Sequence, residues 1–419
     1  MTVSWLLHLH QPSIQDEATV ISISNASYRP LLAILRDNSG FKMTLSVSGT
    51  LLEWWQKLAM TDILETLSLL HKRGQIELAG TGFCHPILTL LPKDEVVRQI
   101  ELEEEVLRRL VSGFSVIPAS LAESRRANAG IQRNDTGSPG QARGHCKSLG
   151  SPSADGSPRY LRGFFSPEMA ISNDLIATLS ELGYEWIMAD EVAALGRPHF
   201  LSVDDCRTKV VIRDRGASLA IAFGYVQTLP AFTNLVDNYS RFADHLVLAM
   251  DGETFGHHWP KSLDFIASLA SSKEFEFMTI SEIVEVWRSE VRLPSIQEST
   301  WGTSDDDLAK GVIYPKWKLA GNEIHRLQWE LLGLALSMPA VVETPNMASL
   351  QHNSIEARGL LDRALGSDQF WWASRNPYWN PGMVKKGAEM LLEVVKLAKP
   401  GLEQEKKAEM LYNQILSLL

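Results

Sequence analysis

An α/β fold on a parallel sheet, followed by a helical C-terminal region, is the class this sequence predicts. Three observations carry it. Short apolar runs alternate with amphipathic helical stretches over the first two thirds of the 419 residues. The runs are apolar on both faces, as strands covered on both sides are. From about Pro294 onward, tryptophans and helical periodicity dominate. Alternating β and α over this length implies a parallel sheet that is either open or closed into a barrel.

In chain order, 3–10 and 41–49 read as strands, 51–73 as helix, and 75–80 as strand after Gly74, a helix C-cap candidate. Residues 93–110 form a clear helix. Val96, Val97, Ile100, Val106, Leu107 and Leu110 recur at helical spacing, acids gather at its start, and Arg108–Arg109 close it as the helix dipole prefers. Further strands are expected at 162–168, 184–190, 208–214, 218–224, 245–252 and 275–280. Beyond Pro294, 322–338 and 387–398 read as helices. The expected division is therefore a barrel or open sheet over 1–290 and a helical domain over 294–419.

Ala119–Tyr160 departs from this pattern. It is rich in Ser, Gly, Ala and Arg, shows neither period, and carries six basic and three acidic residues in an otherwise acidic chain. It reads as a disordered surface insertion or as a stretch translated out of frame. Neither account gives it chemistry.

Forty Lys and Arg against 50 Asp and Glu leave a net charge of −10, which argues against nucleic acid or an anionic membrane as main partner. Cys84, Cys146 and Cys206 are too few and too scattered for a disulfide framework or a metal knuckle. With no leader-like N-terminus and no apolar segment long enough to span a bilayer, a cytoplasmic protein is expected.

Four clusters could do chemistry, each just after an expected strand, where parallel α/β folds assemble their sites. In "HLHQP" (8–12), alternation puts His8 and His10 on the same side of the strand. They are satisfied core or rim histidines, metal ligands, or a catalytic pair. "GTGFCHP" (80–86) brings His85, and Glu77 in the preceding strand faces either inward or out. "FFSPEMA" (164–170) ends an aromatic strand on Glu168, where neighbouring rings would desolvate it. "DGETFGHHW" (251–259) delivers Asp251 and Glu253 around a glycine, followed by His257. Two carboxylates on different strands suit glycosidic bond cleavage, and 12 tryptophans suit stacking on sugars. Metal-assisted hydrolysis through His8, His10, His85 and an Asp is the competing chemistry.

In this order the four motifs resemble those of glycoside hydrolase family 57, and "ESTW" (298–301) and "SDQFWW" (367–372) resemble the C-terminal motifs that close its cleft. The resemblance covers the chain except 119–160. It implies an incomplete (β/α)7 barrel followed by a C-terminal α-helical domain, acting on α-glucans with retention and without a cofactor or metal. By motif position Glu168 is the implied nucleophile and Asp251 the general acid/base. Asp251 must then hold its proton well above the ordinary Asp value of about 3.9. His8, His10 and His85 are implied to orient the sugar, with Glu77, Glu253, His257 and Asp368 as further candidates and Trp301, Trp371 and Trp372 as stacking platforms. Residues 298–317 depart from the form found in branching enzymes and glucanotransferases, which leaves the subsites open. Two other readings are a metal-dependent polysaccharide deacetylase or hydrolase on a similar barrel, and a catalytically silent glycan-binding relative.

Overall fold

The computed structural model describes residues 1–111, 161–194, 200–287, 291–338, 352–399 and 401–419. The stretch 119–160 singled out above lies outside the described residues, as does Cys146.

Among the described residues there are ten strands: β1 (Thr2–Leu9), β2 (Met43–Val47), β3 (Ile76–Ala79), β4 (Gly163–Phe165), β5 (Trp186–Ala189), β6 (Phe200–Val203), β7 (Lys209–Ile212), β8 (His245–Asp251), β9 (Glu276–Met278) and β10 (Val291–Leu293). They form two sheets, β3-β2-β1-β8 with β9 on β1, and β10-β6-β7-β5-β4. A parallel bridge between Gly80 and Phe164 joins β3 to β4. There the Gly80 amide donates to the Gly163 carbonyl at 2.9 Å and the Phe165 amide donates to the Gly80 carbonyl at 2.8 Å. Seven parallel strands thus run round the circuit β1-β2-β3-β4-β5-β7-β8, and this is an incomplete (β/α)7 barrel.

Its seam lies between β7 and β8, where side chains replace a regular ladder. The Val247 amide donates to Asp214 Oδ2 at 2.8 Å and the Ala249 amide to Ser218 Oγ at 3.2 Å. Arg213 donates through Nη1 to the Ala249 carbonyl at 2.8 Å. These bonds satisfy backbone groups that an open edge would leave unpaired.

Period-two alternation sorts the strand residues. Val3, Trp5, Leu7 and Leu9 of β1 face the surrounding helices, while Leu6 joins Ala79, Phe165, Trp186, Met188, Val211, Val247 and Ala249 inside the barrel. The helix Ile280–Val286 plugs the lower end with Ile280, Ile283 and Val284. Continuing the inward series one step up from Leu6 places His8 at the upper end.

Beyond β10 the larger elements are helices: Glu323–Leu336, His352–Ala364, Asp368–Ala373, Pro381–Leu397 and Leu402–Ser417. Buried charge ties them to the barrel. Arg358 pairs with Glu95 at 2.7 Å and with Asp362 at 2.6 Å, and Arg98 reaches Asp362 at 2.5 Å.

Some local expectations need correcting. Residues 218–224 are not a strand but the end of the helix Arg215–Ala222, whose buried residues Ala217, Ser218 and Ile221 recur at a helical interval. The helix expected over 51–73 is two, Gly49–Lys57 and Thr61–Lys72, broken where Ala59 adopts φ 53°. Strands β6 and β10, unmarked by any long apolar run, lie outside the circuit, β6 on β7 and β10 on β6.

Candidate active site

The upper end of the barrel collects four segments. Strand β4 runs into Ser166–Pro167–Glu168, and Glu168 takes left-handed backbone angles (φ 58°, ψ 17°) that cost a non-glycine residue about 1 kcal/mol. The Trp301 amide donates to the Glu168 carbonyl at 3.0 Å and holds this turn. The carboxyl it aims is gripped at both oxygens: Trp301 Nε1 donates to Oε2 at 2.7 Å and Ser367 Oγ donates to Oε1 at 3.2 Å. Trp301 itself stands edge-on to Phe165, with ring centroids 5.8 Å apart.

Asp251 ends β8. Burial raises Glu168 to about 8, helped by the negative charges of Asp251 and Asp368 and opposed by the Trp301 and Ser367 donors. Burial also raises Asp251, to about 6, against the positive charges of Arg213 and His10. Arg213 is held beneath by the fully buried Asp190 at 2.7 Å. The pair of carboxyls therefore retains a proton in the neutral range, chiefly because desolvation penalises the charged forms.

Three histidines form one wall. The rings of His8, His10 and His85 stack, with centroids 4.2–5.8 Å apart and planes within 16–21°, and His8 also stacks on Phe165 at 4.7 Å. Burial, then the charge of neighbouring histidines, lowers the His8 and His85 pKa values well below the ordinary value. Both rings are neutral at pH 7. His10 bridges Ser48 Oγ at 2.8 Å and Asp368 Oδ2 at 3.2 Å, and His85 Nδ1 lies 3.0 Å from Ser367 Oγ. Both nitrogens of His8 and Nε2 of His85 are buried with no partner among the described residues.

The ligating atoms of His8, His10 and His85 lie within 4.8 Å of one another, close enough to suggest a metal triad. Stacked rings, however, hold their in-plane lone pairs in separate, nearly parallel planes, whereas a tetrahedral metal needs them to converge on one point. Both nitrogens of His10 are also engaged already. The open valences of His8 and His85 suit the hydroxyls of a polar ligand better.

The other sequence candidates separate. Asp368 joins the site through His10. Glu253 sits behind it, buried, accepting from Gln11 Nε2 at 2.8 Å and from the Tyr28 hydroxyl. Burial and the Asp251 charge push it up to about 8. Glu77 points into the barrel but at the lower end, two residues before Ala79. It accepts from the Ser281 amide at 3.0 Å and caps the plug helix, away from the histidines. His257 is exposed, with its ring 5.4 Å from His258. Trp371 and Trp372 are half-buried on the helix that Asp368 begins, edge-on to each other at 4.6 Å and beside Tyr378.

Sequence reading missed Ser367, Ser48, Arg213, Tyr28 and Gln11. Ser48 continues the inward series Thr44–Ser46 of β2, and Arg213 closes an apolar strand next to Asp214, so both carried a signal. Ser367 carried only its adjacency to Asp368.

Comparison with known proteins bears on the family and the fold. The sequence model of Glycosyl hydrolase family 57 matches residues 6–115 and 159–296, more than half of the chain. A 4-alpha-glucanotransferase of Thermococcus litoralis is 36% identical over 104 residues, which are 25% of this chain and 16% of that protein. An alpha-amylase of Pyrococcus horikoshii is 33% identical over 104 residues, with the same shares of both chains. The match thus spans about a sixth of the length of these curated relatives. Among solved structures, a family 57 branching enzyme of Thermococcus kodakaraensis superposes with a TM-score of 0.67 at 13% identity, covering 100% of this chain and 95% of that one. The 4-alpha-glucanotransferase structure from Thermococcus litoralis gives 0.64 at 19% identity, covering 95% and 60%. The structural likenesses establish the fold, and the family match establishes the lineage: this chain belongs to glycosyl hydrolase family 57.

Proposed function

We propose that the protein is a retaining enzyme of α-glucans, a hydrolase or transglycosylase that works without a metal or cofactor. The observation that carries this reading is the pair of half-buried carboxyls just beyond β4 and at the end of β8. Glu168 is gripped by two donors, whereas no hydrogen bond to the Asp251 carboxyl is present among the described residues. Relatives named as 4-alpha-glucanotransferase and alpha-amylase support an α-glucan as substrate.

Glu168 attacks the anomeric carbon while Asp251 gives its proton to the departing glycosidic oxygen, leaving a glycosyl ester on Glu168. Asp251, now ionised, takes a proton from water or from an acceptor sugar hydroxyl. The resulting oxygen nucleophile attacks the same carbon and Glu168 departs. Water gives hydrolysis, and a sugar gives transfer.

Burial alone would leave the shared proton on Glu168, whose pKa is raised further than that of Asp251. The indole at Oε2 can only donate, and positive charge grows on the anomeric carbon as the bond breaks. Both draw the proton to Asp251 in the reacting complex. Neutral His8 and His85, with open valences, orient sugar hydroxyls beside His10.

Incubation with maltoheptaose tests this, with chromatography of the products beside a Glu168→Gln control and with chelator in parallel. Shorter chains alone mean hydrolysis; shorter and longer chains together mean transfer. Products from the wild type only, with or without chelator, are expected. Activity retained by Glu168→Gln or lost to chelator would overturn the reading.

A further inference from the structure

We infer that Ser367 is a positioning residue that links recognition of a sugar hydroxyl at His85 to the carboxylate of Glu168. The link to sugar rests on the proposed function; the hold on Glu168 stands on geometry alone.

Ser367 is fully buried. Its amide donates to the His85 carbonyl at 3.0 Å, which fixes the two loops together. Gln99 repeats the tie one layer back: the Cys84 amide donates to its Oε1 at 3.1 Å, and its Nε2 donates to the Asp362 carbonyl at 2.9 Å. The Ser367 hydroxyl then sits between two groups, 3.2 Å from Glu168 Oε1 and 3.0 Å from His85 Nδ1.

A hydroxyl has one proton to give. Spent on the ionised Glu168, it obliges His85 to donate Nδ1–H to Ser367 Oγ. A neutral imidazole protonated at Nδ1 carries its lone pair at Nε2, the atom left buried and without a partner among the described residues. A sugar hydroxyl donating there completes a chain in which every hydrogen bond points towards the nucleophile: sugar O–H to His85, His85 to Ser367, Ser367 to Glu168. Aligned bonds polarise one another. Around Glu168 the remaining groups are Asp251 from β8 and Asp368 from its helix, both repelling a negative charge, and the Trp301 donor, whose ring lies 5.6 Å from the Arg213 guanidinium. Ser367 is thus one of two donors opposing two negative charges.

Removing the hydroxyl leaves the backbone tie intact, so Ser367→Ala isolates the donor. Two readouts are compared in wild type, Ser367→Ala and Ser367→Thr. One is the carboxyl infrared titration of Glu168, taken as a difference against Glu168→Gln; the other is the pH profile of kcat/KM on maltoheptaose. In Ser367→Ala the Glu168 titration and the acid limb of the profile both move up by about one pH unit, with kcat/KM falling about tenfold. Ser367→Thr restores both. If the alanine variant does not fold, Ser367→Cys, a weak donor, is expected to show the same upward shift. A folded variant whose Glu168 titrates as in wild type overturns the inference. The infrared arm needs no substrate, so failure on every α-glucan would sink the proposed function and still leave this inference decided.

Discussion

Glu253 shows what burial does to a single side chain here. Its Oε1 accepts from Gln11 and faces the Tyr28 hydroxyl, which also lies 3.1 Å from the His10 carbonyl. Its pKa is raised from 4.5 to about 8, chiefly by burial. Unfolded, the group loses its proton near 4.5; folded, it keeps it until about 8. Between those values the folded chain binds more protons, so stability is full at the lower pH and declines as pH rises. Urea denaturation at pH 5 and pH 8 should therefore show a fall in wild type that Glu253→Gln makes smaller, Glu168 and Asp251 supplying the rest. An unchanged fall in the variant would contradict this account of the residue. At this scale much was legible in the sequence. His8 and His10 follow from alternation on β1, and Glu168 and Asp251 from their places at strand ends. Glu77 was ambiguous because inward alternation does not tell the upper level of a barrel from the lower. Ser367 was out of reach, since its contact with Glu168 spans 199 residues of sequence.

Elements meet tightly where β4 passes β5. A Cβ on Gly163 would fall 1.8 Å from Trp186 Cζ2 and 1.9 Å from Cε2, and Trp186 is fully buried inside the barrel. Its Nε1 is anchored to Ser281 of the plug helix at 2.9 Å, so the ring has nowhere to retreat. Gly163→Ala is expected to cost about 3 kcal/mol or more through overpacking, read as a lowered urea midpoint with unchanged slope. A near-neutral substitution would show that the strands can part. The wrongly expected strand at 218–224 has a physical origin too. A short run of alanines and aliphatics has no period long enough to separate a strand from a buried helix, and the bond from the Ser218 amide to the Asp214 carbonyl settles it as helix. Strand β6 pairs antiparallel to β7 outside the barrel, which no α/β alternation announces.

Across the whole molecule, the site depends on distant parts of the chain meeting. Glu168 ends a barrel strand, whereas Asp368 and Ser367 come from the helical region, fastened to the barrel through Arg358, Glu95, Asp362 and Arg98. Breaking such a buried network by removing one member costs far more than its net worth, because it strands a charge. The sequence carried the alternation and the order of the motifs, and from these the barrel and its upper edge. The seam at Asp214 and the grip on Glu168 were set by tertiary contact alone. No helix among the described residues is long and apolar enough to cross a membrane. The central claim is that Glu168 carries the glycosyl group, and mass spectrometry of the protein treated with a 5-fluoro-α-glucosyl fluoride tests it most directly. The account predicts one sugar in ester linkage on the peptide containing Glu168, absent from Glu168→Gln. A sugar on another residue, or turnover with inversion and no covalent adduct, would contradict it.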